Sequence, residues 1–360
     1  MGAEMMKIRK ELLKNIRQVE PYVPGEQPQG RVVKLNTNEN PYPPSPQVRK
    51  ALDELDTDAF RLYPDPASSV LIKALAEQYQ VDEDQVFAGV GSDDVLSLCF
   101  LTFFNSDKPV LFPDITYSFY RVWAQLYRIP YECPALDKEF RIVKEDYYRD
   151  NGGIIFPNPN APTAIYEELD FVEDILDHNR DSIVIVDEAY IDFAGRSAVE
   201  LVNKYDNLIV TQTFSKSRSM AGMRIGYAIA SPELIRCLND VKYSFNSYTM
   251  SRAALVCGAA AVRDREYFEE NVRRIIQTRQ RTLEKLQELG FEMTGSDANF
   301  LFARHPEHDA GFLFGELKRR GVYVRHWDDE RIRQYLRITI GTDEEMDLFF
   351  RYLKDILNVL

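Results

Sequence analysis

Along this chain, short unbroken apolar runs alternate with longer stretches in which apolar positions recur every three or four residues. Val86-Phe-Ala, Pro109-Val-Leu-Phe, Ile154-Ile-Phe, Ser182-Ile-Val-Ile-Val186, Leu208-Ile-Val-Thr211 and Tyr227-Ala-Ile-Ala are rich in β-branched and aromatic residues and too short for helices. Continuous rather than alternating hydrophobicity is what a strand covered on both faces requires. With helical periodicity between the runs, the pattern predicts βαβ units over residues 45–250. These build a mostly parallel central sheet flanked by helices, an α/β fold.

Two regions depart from that rhythm. Residues 1–44 hold one short helical pattern, then Pro21-Tyr22-Val23-Pro24-Gly25 and the Pro-rich Asn36-Thr-Asn38-Glu39-Asn40-Pro-Tyr-Pro-Pro. Such a segment cannot bury a core of its own and is predicted to drape over one as an arm. Residues 251–360 open with two long helical patterns, Ser251–Arg263 and Arg265–Leu289, with Gly290 placed to stop the second. Asn299-Phe-Leu-Phe-Ala, Val322-Tyr-Val-Arg325 and Tyr335-Leu-Arg337-Ile-Thr-Ile come next, which predicts a smaller α+β domain.

Composition narrows the function. A chain of 360 residues can bury a large core, and 45% hydrophobic with 28% charged residues is ordinary for a globular protein. The net charge of −13, with no basic block, argues against a nucleic-acid or anionic-membrane surface. Four cysteines without CxxC spacing read as reduced packing residues, and no metal site is expected. Without a membrane-length apolar run or a signal-like N-terminus, the chain is expected in the cytoplasm.

The chemistry concentrates where apolar runs end. Ser182–Val186 stops abruptly in Asp187-Glu188-Ala189-Tyr190, and Leu208–Thr211 leads into Ser215-Lys216, with Arg224 eight residues beyond the lysine. In open α/β sheets the ligand crevice lies outside the carboxyl ends of the strands, so Asp187 and Lys216 are predicted to face one site. A lysine amine condenses with an aldehyde, a carboxylate keeps a pyridine nitrogen protonated, and an arginine holds a phosphate. That combination suits pyridoxal 5'-phosphate.

Three further segments reach the same edge. Gly89-Val-Gly91-Ser92-Asp93-Asp94 lies between a strand and a helical pattern, where N–H groups at a helix start bind anions. Tyr117 comes just after another strand end and could lie flat on an aromatic ring. Asn158-Pro-Asn160-Ala161-Pro162-Thr163 is an extended loop able to offer an amide to a phenolate oxygen.

Taken together these segments resemble the fold-type I pyridoxal-phosphate aminotransferases, and within them the histidinol-phosphate aminotransferase family. The likeness runs essentially end to end, from Pro21-Tyr22 and LNTNENPYP through Arg61-Leu-Tyr63-Pro-Asp, GVGSDD, PDITYSFY, VDEAYIDF and TQTFSKSRSMAGMRIGYA to LRITIGT. It implies that Lys216 forms the covalent link to the cofactor, that Asp187 pairs with the pyridine nitrogen and that Tyr190 bonds the phenolic oxygen. Tyr117 would stack on the ring. Ser92, Asp93, Ser215 and Arg224 would hold the phosphate, joined by Tyr63 from the neighbouring subunit of a homodimer.

The same resemblance implies that Arg325 and Arg337 clamp substrate anions while Tyr22, Asn38 and Glu39 form a substrate lid. The implied reaction is transamination between L-histidinol phosphate and 2-oxoglutarate, giving imidazole acetol phosphate and glutamate. Other enzymes on this scaffold, an aromatic amino acid aminotransferase or a threonine-phosphate decarboxylase, are the alternatives; a catalytically idle regulator that binds the cofactor is the alternative of another class. Two positions depart from the family pattern. Ala161 stands where an asparagine is usual, with Asn160 or Asn158 as substitutes, and Arg218 adds a charge that is either structural or directed at substrate phosphate.

Overall fold

In the computed structural model, which describes residues 8–358, the short apolar runs pair edge to edge in one seven-stranded sheet. A two-residue strand of the arm, β1 (Val33–Lys34), precedes them. The sheet strands are β2 (Val86–Gly89), β3 (Val110–Leu111), β4 (Tyr131–Glu132), β5 (Ile154–Pro157), β6 (Val184–Asp187), β7 (Leu208–Thr213) and β8 (Gly226–Ala230). Their spatial order is β2-β8-β7-β6-β5-β3-β4. From β4 to β7 all neighbours run parallel, whereas β8 is antiparallel to both β2 and β7.

Every residue of β5, β6 and β7 is buried, which is why these strands read as unbroken apolar runs. Alternation divides them between two layers. Val184, Val186, Leu208 and Val210 pack with Val172, Ile175 and Leu176 of the helix Leu169–His178. Ile185 and Ile209 pack on the opposite face with Phe100, Trp123 and Leu238. The β6–β7 register sets Asp187 beside Thr211, so both strands deliver their next residues to one sheet edge.

The two long helical patterns appear as Arg252–Arg263 and Arg265–Glu288. Ser251 caps the first by accepting the Ala254 N–H. Their apolar partners change at Asp264. Cys257, Ala259, Ala261 and Val262 belong to the core beneath the large sheet, whereas Val272, Ile275 and Leu286 belong to a second core. Gly290, at φ +82°, ends the second helix as expected.

Four strands complete the chain: β9 (Glu292–Met293), β10 (Phe300–Arg304), β11 (Val322–Tyr323) and β12 (Leu336–Thr339). The order β12-β10-β9 forms an antiparallel sheet, and β11 pairs in parallel with β1, binding the arm to the C-terminal region. The helix Asp343–Leu357 covers the second core, started by a capping box between Thr342 and Glu345. Strand β11 is shorter than its apolar run. Beyond it Arg325 joins Arg337 through an isolated antiparallel bridge, which sets two arginines side by side. The expected N-terminal helix is a single exposed turn, Lys10–Leu13.

The tightest approach joins β8 to the turn after β2. A Cβ built on Gly226 would lie 2.4 Å from both Gly91 C and Ser92 N, backbone atoms that cannot swing away. Gly226→Ala is therefore expected to cost about 1–3 kcal/mol of stability through overpacking. Chemical denaturation checks this, and an unchanged midpoint would show that the turn yields freely.

Candidate active site

At the carboxyl edge of the sheet two cavities adjoin. The inner one, about 180 Å³, is lined by Ser92, Asp93, Asp187, Thr213, Ser215, Arg224 and Glu39 among others. The outer one, about 300 Å³, is lined by Tyr22, Asn36, Asn38, Arg121, Arg325, Trp327 and Arg337 among others. Thr37, Tyr117, Ala161, Tyr190 and Lys216 line both, so Lys216 stands at the junction.

Asp187, the last residue of β6, is buried. Its Oδ2 accepts a 2.7 Å hydrogen bond from Tyr120 Oη, while Oδ1 is buried with no partner. Desolvation pushes its pKa up to about 6, although the Tyr120 hydroxyl and the nearby Ala189 N–H pull the other way. A half-satisfied buried carboxylate is costly and calls for an N–H or cationic partner. Lys216 lies just past the end of β7. Its Nζ donates to Thr37 O at 3.0 Å and lies 5.7 Å from the centre of the Tyr190 ring. The lysine loop is pinned by Asn40, whose Nδ2 donates to the Lys216 and Ser217 carbonyls at 3.0 and 3.1 Å.

The GVGSDD segment forms the start of a helix, Ser92–Phe103, with Gly91 at φ +84° as its N-cap. The first-turn N–H groups of such a helix have no intrahelical acceptors and face an anion readily. Arg224 Nη2 reaches Asp93 Oδ2 at 3.0 Å, and Asp93 Oδ1 accepts from Tyr117 Oη at 2.7 Å. Ser215 is held by Thr213 Oγ1, which accepts its N–H at 3.1 Å.

In the outer cavity Arg337 Nη2 donates to Asn36 O at 2.8 Å, and its Nε is buried without a partner. Burial, then the charge of Arg325, pulls its pKa below the ordinary arginine value, with Tyr190 opposing. Trp327 lies under both guanidinium groups, 5.5 Å from Arg325 and 5.3 Å from Arg337. Tyr22 stacks on Phe119 at 4.2 Å and closes the arm side.

Asn160, Asn158 and Glu39 sit differently from their sequence-based expectations, Arg218 fits the structural one of its two readings, and Tyr63, expected at a neighbouring subunit's site, lies outside the cavities of its own chain. Asn160 lines neither cavity; its amide donates to Ile115 O and Thr163 Oγ1, both at 3.0 Å, and so braces the loop. Asn158 likewise is tied to Glu167 through both ends of its amide. Glu39 faces the inner cavity rather than the outer. Hydrogen bonds from Lys34 and Thr37 outweigh its burial and lower its pKa. Asn38 lines the outer cavity but points its amide at Tyr190 Oη, 2.9 Å away. Arg218 is buried away from both cavities, bonded to Ala261 O at 3.0 Å and 4.1 Å from the Phe268 ring. Tyr63 is 77% exposed, lines neither cavity, and stacks on Tyr248 at 4.5 Å.

Sequence reasoning missed Tyr120, Asn40, Thr37 and Trp327. The first reads as one more core aromatic, and Thr37 meets Lys216 through its backbone carbonyl, which no side-chain pattern announces. Asn40 sat in view within NENP, but its partner lies 176 residues away. Among the described residues no cluster of three or more His, Cys, Asp or Glu side chains could hold a metal, and no helix is long and apolar enough to cross a membrane.

Comparison with known proteins defines the class. Residues 30–353 match the family described as aminotransferase class I and II, and the chain belongs to that family. Curated relatives of high similarity carry a narrower name. The histidinol-phosphate aminotransferase of Chromohalobacter salexigens is 52% identical, covering 94% of this chain and 97% of the relative. That of Pseudomonas putida is 56% identical, over 91% and 95%. Among solved structures, the histidinol-phosphate aminotransferase of Clostridium acetobutylicum superposes with a TM-score of 0.83 at 23% identity, covering 90% of this chain and 99% of that one. The Sinorhizobium meliloti enzyme, solved in complex with pyridoxal-5'-phosphate, gives 0.82 at 22%, covering 90% of each. These two establish the same fold.

The raised Asp187 pKa makes a signed prediction. Its folded-state value, about 6, lies above the ordinary 3.8, so the carboxyl destabilises the cofactor-free protein progressively as pH rises through that window. The cost at pH 7 is about 3 kcal/mol. Cofactor-free Asp187→Asn should resist denaturant better than cofactor-free wild type at pH 7, and the two should converge below pH ~4. A less stable variant at pH 7 would contradict an unpaired buried charge.

Proposed function

We propose that the protein transfers an amino group from L-histidinol phosphate to 2-oxoglutarate, giving imidazole acetol phosphate and glutamate, with pyridoxal 5'-phosphate as cofactor. The observation that carries this reading is an unpaired buried carboxylate oxygen on Asp187, which lines the same cavity as Lys216, with paired arginines in the adjoining one. The relatives' shared name contributes the substrate.

The cofactor, when bound, supplies an electron sink for the charge that develops on the substrate's α-carbon. Asp187 Oδ1 would take the pyridine N–H, satisfying the oxygen that this chain leaves bare. The first-turn N–H groups of Ser92 and Asp93, the Ser215 hydroxyl and Arg224 would hold the phosphate. Tyr117 would lie on the ring and Tyr190 would bond its phenolic oxygen. Lys216 would hold the cofactor's aldehyde carbon, and with substrate in that place its free amine would carry a proton from and back to the substrate, as base and then as acid. Its resting acceptor, Thr37 O, is neutral, and among the described residues no carboxylate hydrogen-bonds the amine.

Arg337, with its free Nε, and Arg325 beside it bind the carboxylate of glutamate or the substrate phosphate in fork geometry. The arm, through Tyr22 and Asn36–Asn38, would close the outer cavity against water. Two half-reactions in one cavity imply ping-pong kinetics. Tyr63, exposed on its own chain beside Tyr248, suits a homodimer in which it reaches the neighbouring site, and the enzyme would act in the cytoplasm.

Lys216→Ala should lower kcat by at least ~10²–10⁴-fold, the usual share of one acid–base group. Arg337→Lys, which keeps the charge but loses the fork, should lower kcat/KM by about 10- to 100-fold, equivalent to roughly 1.5–3 kcal/mol for a charged hydrogen bond. A coupled assay for glutamate, with histidinol phosphate, phenylalanine and tyrosine as competing donors, measures both. Comparable kcat/KM for phenylalanine would overturn the substrate assignment.

A further inference from the structure

Asn38 is fully buried and holds a left-handed backbone conformation, φ +56°. Its N–H donates to Thr339 Oγ1 at 3.1 Å, and that hydroxyl donates its own proton to Asn38 Oδ1 at 3.0 Å. In this arrangement the amide turns its oxygen toward Thr339 and its NH₂ toward Tyr190. Asn38 Nδ2 then donates to Tyr190 Oη at 2.9 Å, and among the described residues Tyr190 Oη has no other hydrogen-bond partner. A phenol that accepts one hydrogen bond keeps its own proton for another direction. Tyr190 lines both cavities, so that direction is open to a bound group.

We propose that Asn38 is a positioning residue for the reaction, its amide aiming the Tyr190 proton at the ring oxygen of the bound cofactor. The inference rests on the transaminase reading above. The neighbouring side chains leave this task to the pair: Ala161 has no polar side-chain atom, and the Asn160 amide is spent on Ile115 O and Thr163 Oγ1. Asn299 Nδ2 donates to Asn38 O at 3.1 Å, so with Thr339 two residues of the C-terminal sheet region hold the arm in this pose. A hydrogen bond to the ring oxygen draws negative charge away from the lysine-linked nitrogen and lowers that nitrogen's affinity for a proton.

Absorbance titration of the cofactor-loaded protein reads the pKa of that nitrogen directly. Asn38→Gly keeps the left-handed backbone without strain and removes only the amide. It should raise the pKa by roughly one unit, the worth of one ordinary hydrogen bond. In a Tyr190→Phe background the same change should add nothing, because the bond it acts through is already gone. An unchanged pKa in Asn38→Gly, or an equal increment in both backgrounds, overturns the proposal. Should Asn38→Gly fail to fold, Asn38→Asp keeps the Thr339 contact but presents Tyr190 with an acceptor. It should raise the pKa at least as far, and no rise again overturns the proposal. Wild-type protein that gains no visible band with the cofactor would overturn the transaminase reading itself, and this inference with it.

Discussion

A single carboxylate oxygen, Asp187 Oδ1, sets the terms for the rest of the site. It is buried, it has no partner of its own, and desolvation raises the energy of its charged form. Tyr120 satisfies only the other oxygen. Such an arrangement persists because β6 is paired on both sides and packed on both faces, so the strand end cannot move to relieve it. Stability lost at Asp187 is the counterpart of affinity for a group that brings an N–H to the same point, a trade common at catalytic centres.

Around that point the protein answers its cations with neutral acceptors. Lys216 Nζ meets Thr37 O and Arg337 Nη2 meets Asn36 O, both backbone carbonyls of the arm. Among the described residues neither group hydrogen-bonds a carboxylate, which leaves the amine and the guanidinium open to a bound group. The inner cavity is different: Arg224 is held by Asp93, and Asp93 in turn by Tyr117. A network of that kind fixes side-chain direction before any ligand arrives.

The arm thus belongs to the site rather than merely covering it. It is joined to the C-terminal region by the β1–β11 pair and by Asn38 with Thr339 and Asn299. It also reaches the lysine loop through Asn40 and Tyr190 through Asn38. The C-terminal sheet adds Arg337 and, through the bridge to it, Arg325. The two cavities, with Lys216 at their junction, consequently lie where three parts of the chain converge.

Much of this was legible from residue order alone. Runs such as Ser182–Val186 and Leu208–Thr211 announce strands because burial on both faces leaves no room for polar positions, and the residues just past a parallel strand must emerge at the ligand edge. That local logic brings Asp187, Lys216, Ser92 and Arg224 to one edge, and all four line the inner cavity. Side-chain destinations were decided by contacts far apart in sequence. Asn160, Glu39 and Arg218 carry suitable chemistry, yet nearby carbonyls, Lys34 and the Phe268 ring hold them in other work. Tyr120 and Asn40 enter the site through hydrogen bonds to residues far along the chain, and Trp327 through its contact with Arg325 and Arg337. Sequence determines which backbone segments end at the crevice because periodicity is a local property; tertiary structure decides which side chains face into it, because a hydrogen bond goes to whichever partner folding brings within about 3 Å.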